Sequence, residues 1–466
     1  MSAEDGPEPS PGRPRGTGTG AARLSAPLAR GPVVWGAAVV AYAVAVLHRA
    51  SLGVAGPLAV ERFDVGAAVL STFVVVQLGV YAGMQVPVGV LLDRFGSRAL
   101  IAGGAVVMGA GQVLLGLAEN LPTAYVARVL IGAGDAATFI SVVRLVALWF
   151  PARRVPLFTQ LTGMAGHLGQ LTASVPLVAV LGAWHWERTF VGLGAVGALA
   201  AVLAWGVVRD GPGGRASVAP GSLRTHLTGA VTTPGTWLGF WSHALGTFPL
   251  AVFLLLWGFP FLVAQGLTSR QAGALMSLAV VAAVVSGPVI GVLTGRHPLR
   301  RSWMVLAVGG AVALAWAAVL VHPGRSPVWL LAVLVVVIGI GGPTSAIGFD
   351  YARTFNPSGR LGTASGLVNV GGFSTAVVSV LAVGVVLDLV ADGREWRVED
   401  FRVAFAVQAV PWLASVVGVL VTRRRTRRLM ADDGVLVPPL RDVVARWRGR
   451  GGPGGDAVRR TPGDAL

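Results

Sequence analysis

The sequence predicts an all-α polytopic membrane protein with twelve transmembrane helices in two six-helix bundles. Three observations carry that reading. Hydrophobic residues fill 54% of the 466 positions and charged residues only 12%, with a mean hydropathy of +0.70, which is far from a soluble globular mixture. Apolar stretches of about 20 residues, the length that crosses a bilayer, recur along the chain between short segments where Arg, Pro, Gly and Asp collect. A polar run rich in Gly, Pro, Ser and Thr, residues 209–235, then divides these stretches six and six, as a flexible linker between two bundles would.

The predicted spans are 33–58, 67–92, 99–118, 122–149, 157–181 and 189–208, followed by 236–264, 271–294, 302–322, 326–349, 361–388 and 402–422. They define a cytoplasmic N-terminal arm (1–32), a first bundle (33–208), the linker (209–235), a second bundle (236–422) and a basic C-terminal tail (423–466). The arm lacks the apolar core of a signal peptide and reads as disordered. All 37 basic residues are arginine. Arginine gathers in alternate loops and in the tail around "RRRTRR", so the positive-inside rule predicts that both termini are cytoplasmic in an inner or plasma membrane. The net charge of +16 is accounted for by those loops facing anionic membrane lipid, and no nucleic-acid partner is expected.

Along the chain, helix 1 sets His48 and Arg49 inside the apolar run "YAVAVLHRASLGVAGP". A guanidinium keeps its charge at ordinary pH, and placing one at mid-membrane costs at least about 2.5–3.5 kcal/mol on insertion scales. Something must offset that cost. Helix 4, "YVARVLIGAGDAATFISVVRLVALWF", supplies Arg128, Asp135 and Arg144. Arg128 and Asp135 are seven residues apart and share a helix face, whereas Arg144, nine beyond Asp135, points to the other side and toward the cytoplasm. Helix 5 adds the neutral hydrogen-bonding groups Gln160, His167 and Gln170 in "TQLTGMAGHLGQ". The tryptophans, including Trp257 in "LLLWGFPF" of helix 7, read as packing or interface anchors.

The loop after helix 2 reads "GVLLDRFGSR", Gly89 to Arg98. It resembles the G-x-L-x-D-R-x-G-R-[KR] signature of the major facilitator superfamily, at the position that superfamily has it. Gly89, Asp93, Arg94, Gly96 and Arg98 carry the match, and Ser97 departs from it. The resemblance implies a cytoplasmic gate, in which a carboxylate at a helix end faces the positive N-terminus of a helix from the other bundle; Arg144 is a further candidate for this gate, beside Asp93. The corresponding loop of the second half, "GVLTGRHPLR", has Gly295 in place of the acid. "WERTF" at 186–190 is similar to the family's entry to helix 6, without the usual Gly before Trp186, and "GTASGLVNVGG" at 362–372 is similar to its Gly-rich helix 11. The superfamily fold implies inverted repeats within each half.

In that fold helices 1 and 4 border one cavity, so Arg49, Arg128 and Asp135 are expected to line a single site. Two cations and one carboxylate leave it positive, suited to a carboxylate or phosphate. At these residues the chain resembles the anion:cation symporter branch, carriers of organic acids, with His48 standing where that branch has an acid. Arg49, Arg128, Gln160 and His48 are the expected substrate contacts and Asp135 the proton-coupling group. The expected function is proton-coupled symport of a small organic anion by alternating access, with substrate, protons and lipid as partners. No cofactor is expected. One chain encloses the cavity, so a monomer is expected.

A proton-driven drug exporter is the alternative within transport; its helix 5 signature is not matched, since Pro176 falls too late. A receptor or scaffold would need a soluble domain that the short tails do not supply. The glycine runs, such as "VIGIGGP" at 337–343, lie inside apolar helices without a nucleotide-site context, the absence of cysteine removes thiolate chemistry, and no metal-ligand spacing occurs. An enzyme is not expected.

Overall fold

The computed structural model describes residues 20–65, 67–174, 176–212, 223–392, 394 and 396–435. The first half comprises α1 (Gly20–Val54), α2 (Gly56–Phe63), α3 (Ala67–Leu117), α4 (Leu121–Trp149), α5 (Val155–Ser174) and α6 (Pro176–Val207). The second comprises α7 (Leu223–Thr232), α8 (Pro234–Val252), α9 (Gly258–Ala264), α10 (Ser269–Arg296), α11 (Arg301–Val321), α12 (Val328–Ser345), α13 (Ile347–Phe355), α14 (Leu361–Ala391), α15 (Val398–Ala406) and α16 (Ala409–Asp432). The described residues contain no β-strand. A π-helical turn, Phe253–Trp257, joins α8 to α9, and Pro260 lacks the N–H that would bond back to Leu256 within it.

Among the described residues, ten helical segments are long and apolar enough to cross a membrane. They differ from the twelve predicted spans at two places. Spans two and three fall in one helical run, α3, which breaks at Gly96 with φ 84° and ψ 169°. Only glycine takes that conformation freely, and a Cβ there would also lie 2.6 Å from the Asp210 carboxylate. Span five corresponds to α5, which falls outside the ten; it is 20 residues long, but Thr159, Gln160, Thr162, His167 and Gln170 dilute its apolar character.

The helix α6 carries a similar break at His185, φ 61° and ψ −177°. This is the position before Trp186 where the family pattern has glycine, and here a β-carbon occupies a backbone conformation that glycine alone adopts without strain. Asn120 caps α4 through Thr123 N–H at 3.0 Å, and a Thr268–Gln271 capping box starts α10.

The linker is not wholly irregular: α7 occupies residues Leu223–Thr232 and touches α14 and α3. The arm overlaps α1, which begins at Gly20, and the basic run of the tail continues α16 as helix to Asp432. Residues 1–19, 213–222 and 436–466 of the arm, linker and tail lie outside the described residues.

Within the first half, α1 packs on α4, α5 and α6, and α3 on α4 and α6; within the second, α8 packs on α12, α13, α14 and α16, and α10 on α12. The halves meet along two seams, α3 with α14 and α5 with α10. Exchanging the halves maps one seam onto the other, as structural repeats require. Close backbone approach depends on glycine at these seams. A Cβ on Gly89 would lie 2.6 Å from the Gly362 carbonyl oxygen across the α3–α14 seam.

Candidate functional site

Asp135 sits 14 residues from either end of α4, at its mid-depth, and its side chain is 1% exposed. Arg49 reaches it from α1 in a two-point pair, Nε to Oδ2 at 2.5 Å and Nη2 to Oδ1 at 2.8 Å. Paired parallel hydrogen bonds of this kind fix both groups in one geometry. The Arg49 guanidinium also lies over the Tyr81 ring of α3, 4.9 Å from its centroid, and remains 24% exposed. The pair is therefore reachable, and only its acidic member is sealed.

Arg128 lies on the same helix as Asp135 and is among the largest fully buried side chains of the protein. Its Nε and Nη1 have no hydrogen-bond partner among the described residues. On α3, facing the same stretch of α4, Gln77 comes within close backbone contact of Gly132, and its Nε2 is likewise buried and unpartnered. Buried donors without acceptors are uncommon and costly. A ligand that brings acceptor oxygens would satisfy them.

Next to Tyr81 a chain of neutral hydrogen bonds crosses to the second half. Asn369 of α14 donates from Nδ2 to the Tyr81 hydroxyl at 3.2 Å and to Gln85 Oε1 at 2.7 Å. His243 of α8 meets Asn369 Oδ1 at 3.2 Å and the Ser345 carbonyl at 3.1 Å. Residue reading alone missed Tyr81, Gln85, His243 and Asn369. Their signal is a single polar residue in an apolar helix, as in the "GLVNVGG" stretch of α14.

Two other expected contacts take different positions. His48 is fully buried against α6, where a Cβ on Gly197 would lie 2.9 Å from its Cε1. Its carbonyl accepts from Gln112 Nε2 at 3.0 Å, so it lies within the first bundle rather than beside Asp135. Gln160 donates from Nε2 to the Pro343 carbonyl at 2.6 Å, a strut from α5 to the proline of α12. His167 is half-buried and Gln170 exposed on the same helix.

At one end of the molecule Asp93 grips the start of α14. Its Oδ1 accepts from Gly362 N–H at 2.7 Å, and its Oδ2 accepts from Thr363 N–H at 2.8 Å and from the Thr363 hydroxyl at 2.7 Å. The helix has free N–H groups there and a positive dipole end. Arg144 donates from Nη1 to the Leu92 carbonyl at 2.6 Å and so braces the residue before Asp93. Asp210 accepts from Arg98 N–H at 2.9 Å, while Arg98 Nε donates to the Trp205 carbonyl at 2.7 Å; together they lock the Gly96 turn onto the end of α6. Arg94 is exposed and lies over Phe95 at 5.3 Å. The halves are thus closed together at this end. In the second half Gly295 stands against the Arg153 backbone, and the acid of that end is Asp350, held by Arg301 and by Arg353. Among the described residues no cluster of three His, Cys, Asp or Glu side chains could hold a metal ion.

The profile described as Major Facilitator Superfamily matches residues 38–380 and 250–440. This chain belongs to the Major Facilitator Superfamily. It is 23% identical over 379 residues to the probable sulfoacetate transporter SauU of Cupriavidus necator, covering 76% of this chain and 87% of that protein. It is also 23% identical over 383 residues to the probable galactarate/D-glucarate transporter GarP of Escherichia coli, covering 73% and 85%. A shorter match to the uncharacterized transporter YybO of Bacillus subtilis, 30% identical, covers 34% of this chain and 36% of that protein. Among solved structures, an inward-facing, occupied bacterial homologue of the human lysosomal transporter Spinster superposes with a TM-score of 0.53 at 16% identity, covering 84% of this chain and 96% of that one. Superfamily membership makes the chain a multi-pass membrane transport protein and not an enzyme.

Proposed function

We propose that the chain is a secondary active carrier of a small organic anion, coupled to protons and working by alternating access, in a plasma or inner membrane with both termini cytoplasmic. The observation that carries this reading is the charge count at mid-depth: Arg49 and Arg128 stand with one carboxylate, Asp135, which Arg49 pairs, and two Arg128 nitrogens have no acceptor among the described residues. The names of the similar carriers, for sulfoacetate and for galactarate or D-glucarate, support an acid as cargo. The distribution of arginine supports the orientation.

In this scheme a proton taken up by the Asp135 carboxylate neutralises it and weakens its hold on Arg49. Arg49, its side chain already 24% exposed, then turns its paired N–H donors to the incoming anion, and Arg128 supplies the second contact. Two arginines and one carboxylate leave one net positive charge, so a doubly charged anion taken up with one proton brings the site to neutral, and the loaded carrier can rock where the half-loaded one carries an uncompensated charge through a low-dielectric barrier. Asp93 closes the cytoplasmic end meanwhile.

Uptake of radiolabelled D-glucarate, galactarate and tartrate into proteoliposomes under an inward proton gradient tests the reading. Wild type accumulates at least one of them. Arg49→Ala lowers uptake on the order of 100-fold, as expected when one member of a buried ion pair is removed. Asp135→Asn retains exchange of labelled for unlabelled anion and loses accumulation. Failure of every anion, with expulsion of a lipophilic cation, would replace this reading by the exporter.

A further inference from the structure

Away from the central site, at the end of the molecule where Asp93 closes the two halves, α16 carries Arg423 and Arg427 four residues apart on one face. Both line a cleft of about 40 Å³ with Arg301, Ser302 and Tyr351. Arg423 Nε and Arg427 Nη2 are buried there and have no partner among the described residues. Arg300 adds a third positive charge that repels both. The nearest acid, Asp350, is taken up by Arg301 and Arg353. Like charges four apart on a helix repel, and buried guanidinium donors without acceptors are unfavourable, so the arrangement lacks an anion.

The surroundings say which anion fits. The cleft holds a few water-sized volumes, the size of a phosphate head and not of a whole sugar acid. Its rim is apolar and open: Leu299 is 42% exposed, Trp303 40% and Leu429 50%, and Arg423 lies over the Trp303 ring at 4.4 Å. An aromatic residue with an apolar body beside a cation is the side-chain set found at headgroup level in membranes.

We propose that this cleft binds the phosphate of one anionic phospholipid, with Arg423 and Arg427 as its ligands and the acyl chains lying against Leu299, Trp303 and Leu429. Such a lipid ties the end of α16 to the turn between α10 and α11. The site is separate from the transport site and stands or falls independently of the cargo.

The full-length protein in neutral detergent, titrated with phosphatidylglycerol or phosphatidylcholine and read by native mass spectrometry, tests it. Wild type is expected to retain one phosphatidylglycerol about tenfold more strongly than phosphatidylcholine. The Arg423→Gln/Arg427→Gln variant loses that preference. The Arg424→Gln/Arg428→Gln variant, which removes the same charge from exposed positions of the same helix, keeps it. Should the first double variant not fold, Arg427→Gln alone carries the comparison. Equal loss in both double variants would reduce the effect to surface charge and overturn the site. An equal rise in melting temperature with inorganic phosphate alone would assign the cleft to a free anion instead of a lipid.

Discussion

Arg128 is the residue whose surroundings satisfy it least. It is buried, Asp135 on its own helix is paired with Arg49 instead, and two of its nitrogens meet no acceptor among the described residues. Replacing a poorly satisfied buried charge by an apolar side chain of similar volume is often neutral or stabilising by about 1–4 kcal/mol. Arg128→Met should therefore raise the melting temperature of the purified protein while lowering anion uptake by at least about tenfold; unchanged uptake in that variant would remove Arg128 from the binding site. Arg49, Arg128 and Asp135 were legible because a charge in an apolar run has to be explained. Tyr81 and Asn369 were not. They are neutral, and the hydrogen bond between them joins positions 288 residues apart, which no local spacing reports. His48 shows the opposite failure: next to Arg49 in sequence, it is turned by the helix toward α6.

Among the elements, length and hydropathy located nearly every apolar helix, and the differences lie at the polar helix α5 and where the backbone turns. The sequence marks one reversal with a glycine, Gly96, and the other with His185, whose φ of 61° carries a side chain. A non-glycine residue in that region costs of order 1–3 kcal/mol. His185→Gly should thus stabilise the protein by about 1 kcal/mol, seen as a higher melting temperature with transport unchanged; a lower melting temperature would show that the histidine side chain contributes more than the turn costs. The helix α7 was hidden in a stretch whose composition reads as linker, because its ten residues are stabilised by docking on α14 and α3 and not by their own propensity.

For the whole molecule, one carboxylate fastens the end of the seam between α3 and α14. Asp93 takes two backbone N–H groups and a hydroxyl from α14, while the second half has Gly295 at the matching place and closes on backbone contact with Arg153. Hydrogen bonds to a charged group contribute about 1.5–3 kcal/mol each, so Asp93→Asn should shift the population toward opening at that end by roughly tenfold or more. The chain has no cysteine, so a single Met164→Cys on α5, facing Gly287 of α10, reports this cleanly. Its labelling rate by a membrane-impermeant maleimide from the Asp93 side should rise in the Asp93→Asn background, and an unchanged rate would make the contact dispensable.

If Asp93 is the gate proposed above, the asymmetry of that closure makes the protein a kinetic rectifier. If two of the Asp93 bonds count at the low end of their range, about 3 kcal/mol, fewer than roughly one empty molecule in a hundred stands open on that side. A solute arriving there meets only this minority, and its half-saturating concentration is inflated by the same factor. The equilibrium gradient is untouched, since that belongs to the coupled ions. What one aspartate sets is the concentration range in which flow runs in a single direction, and a leak backward through the unloaded protein stays small without any further device.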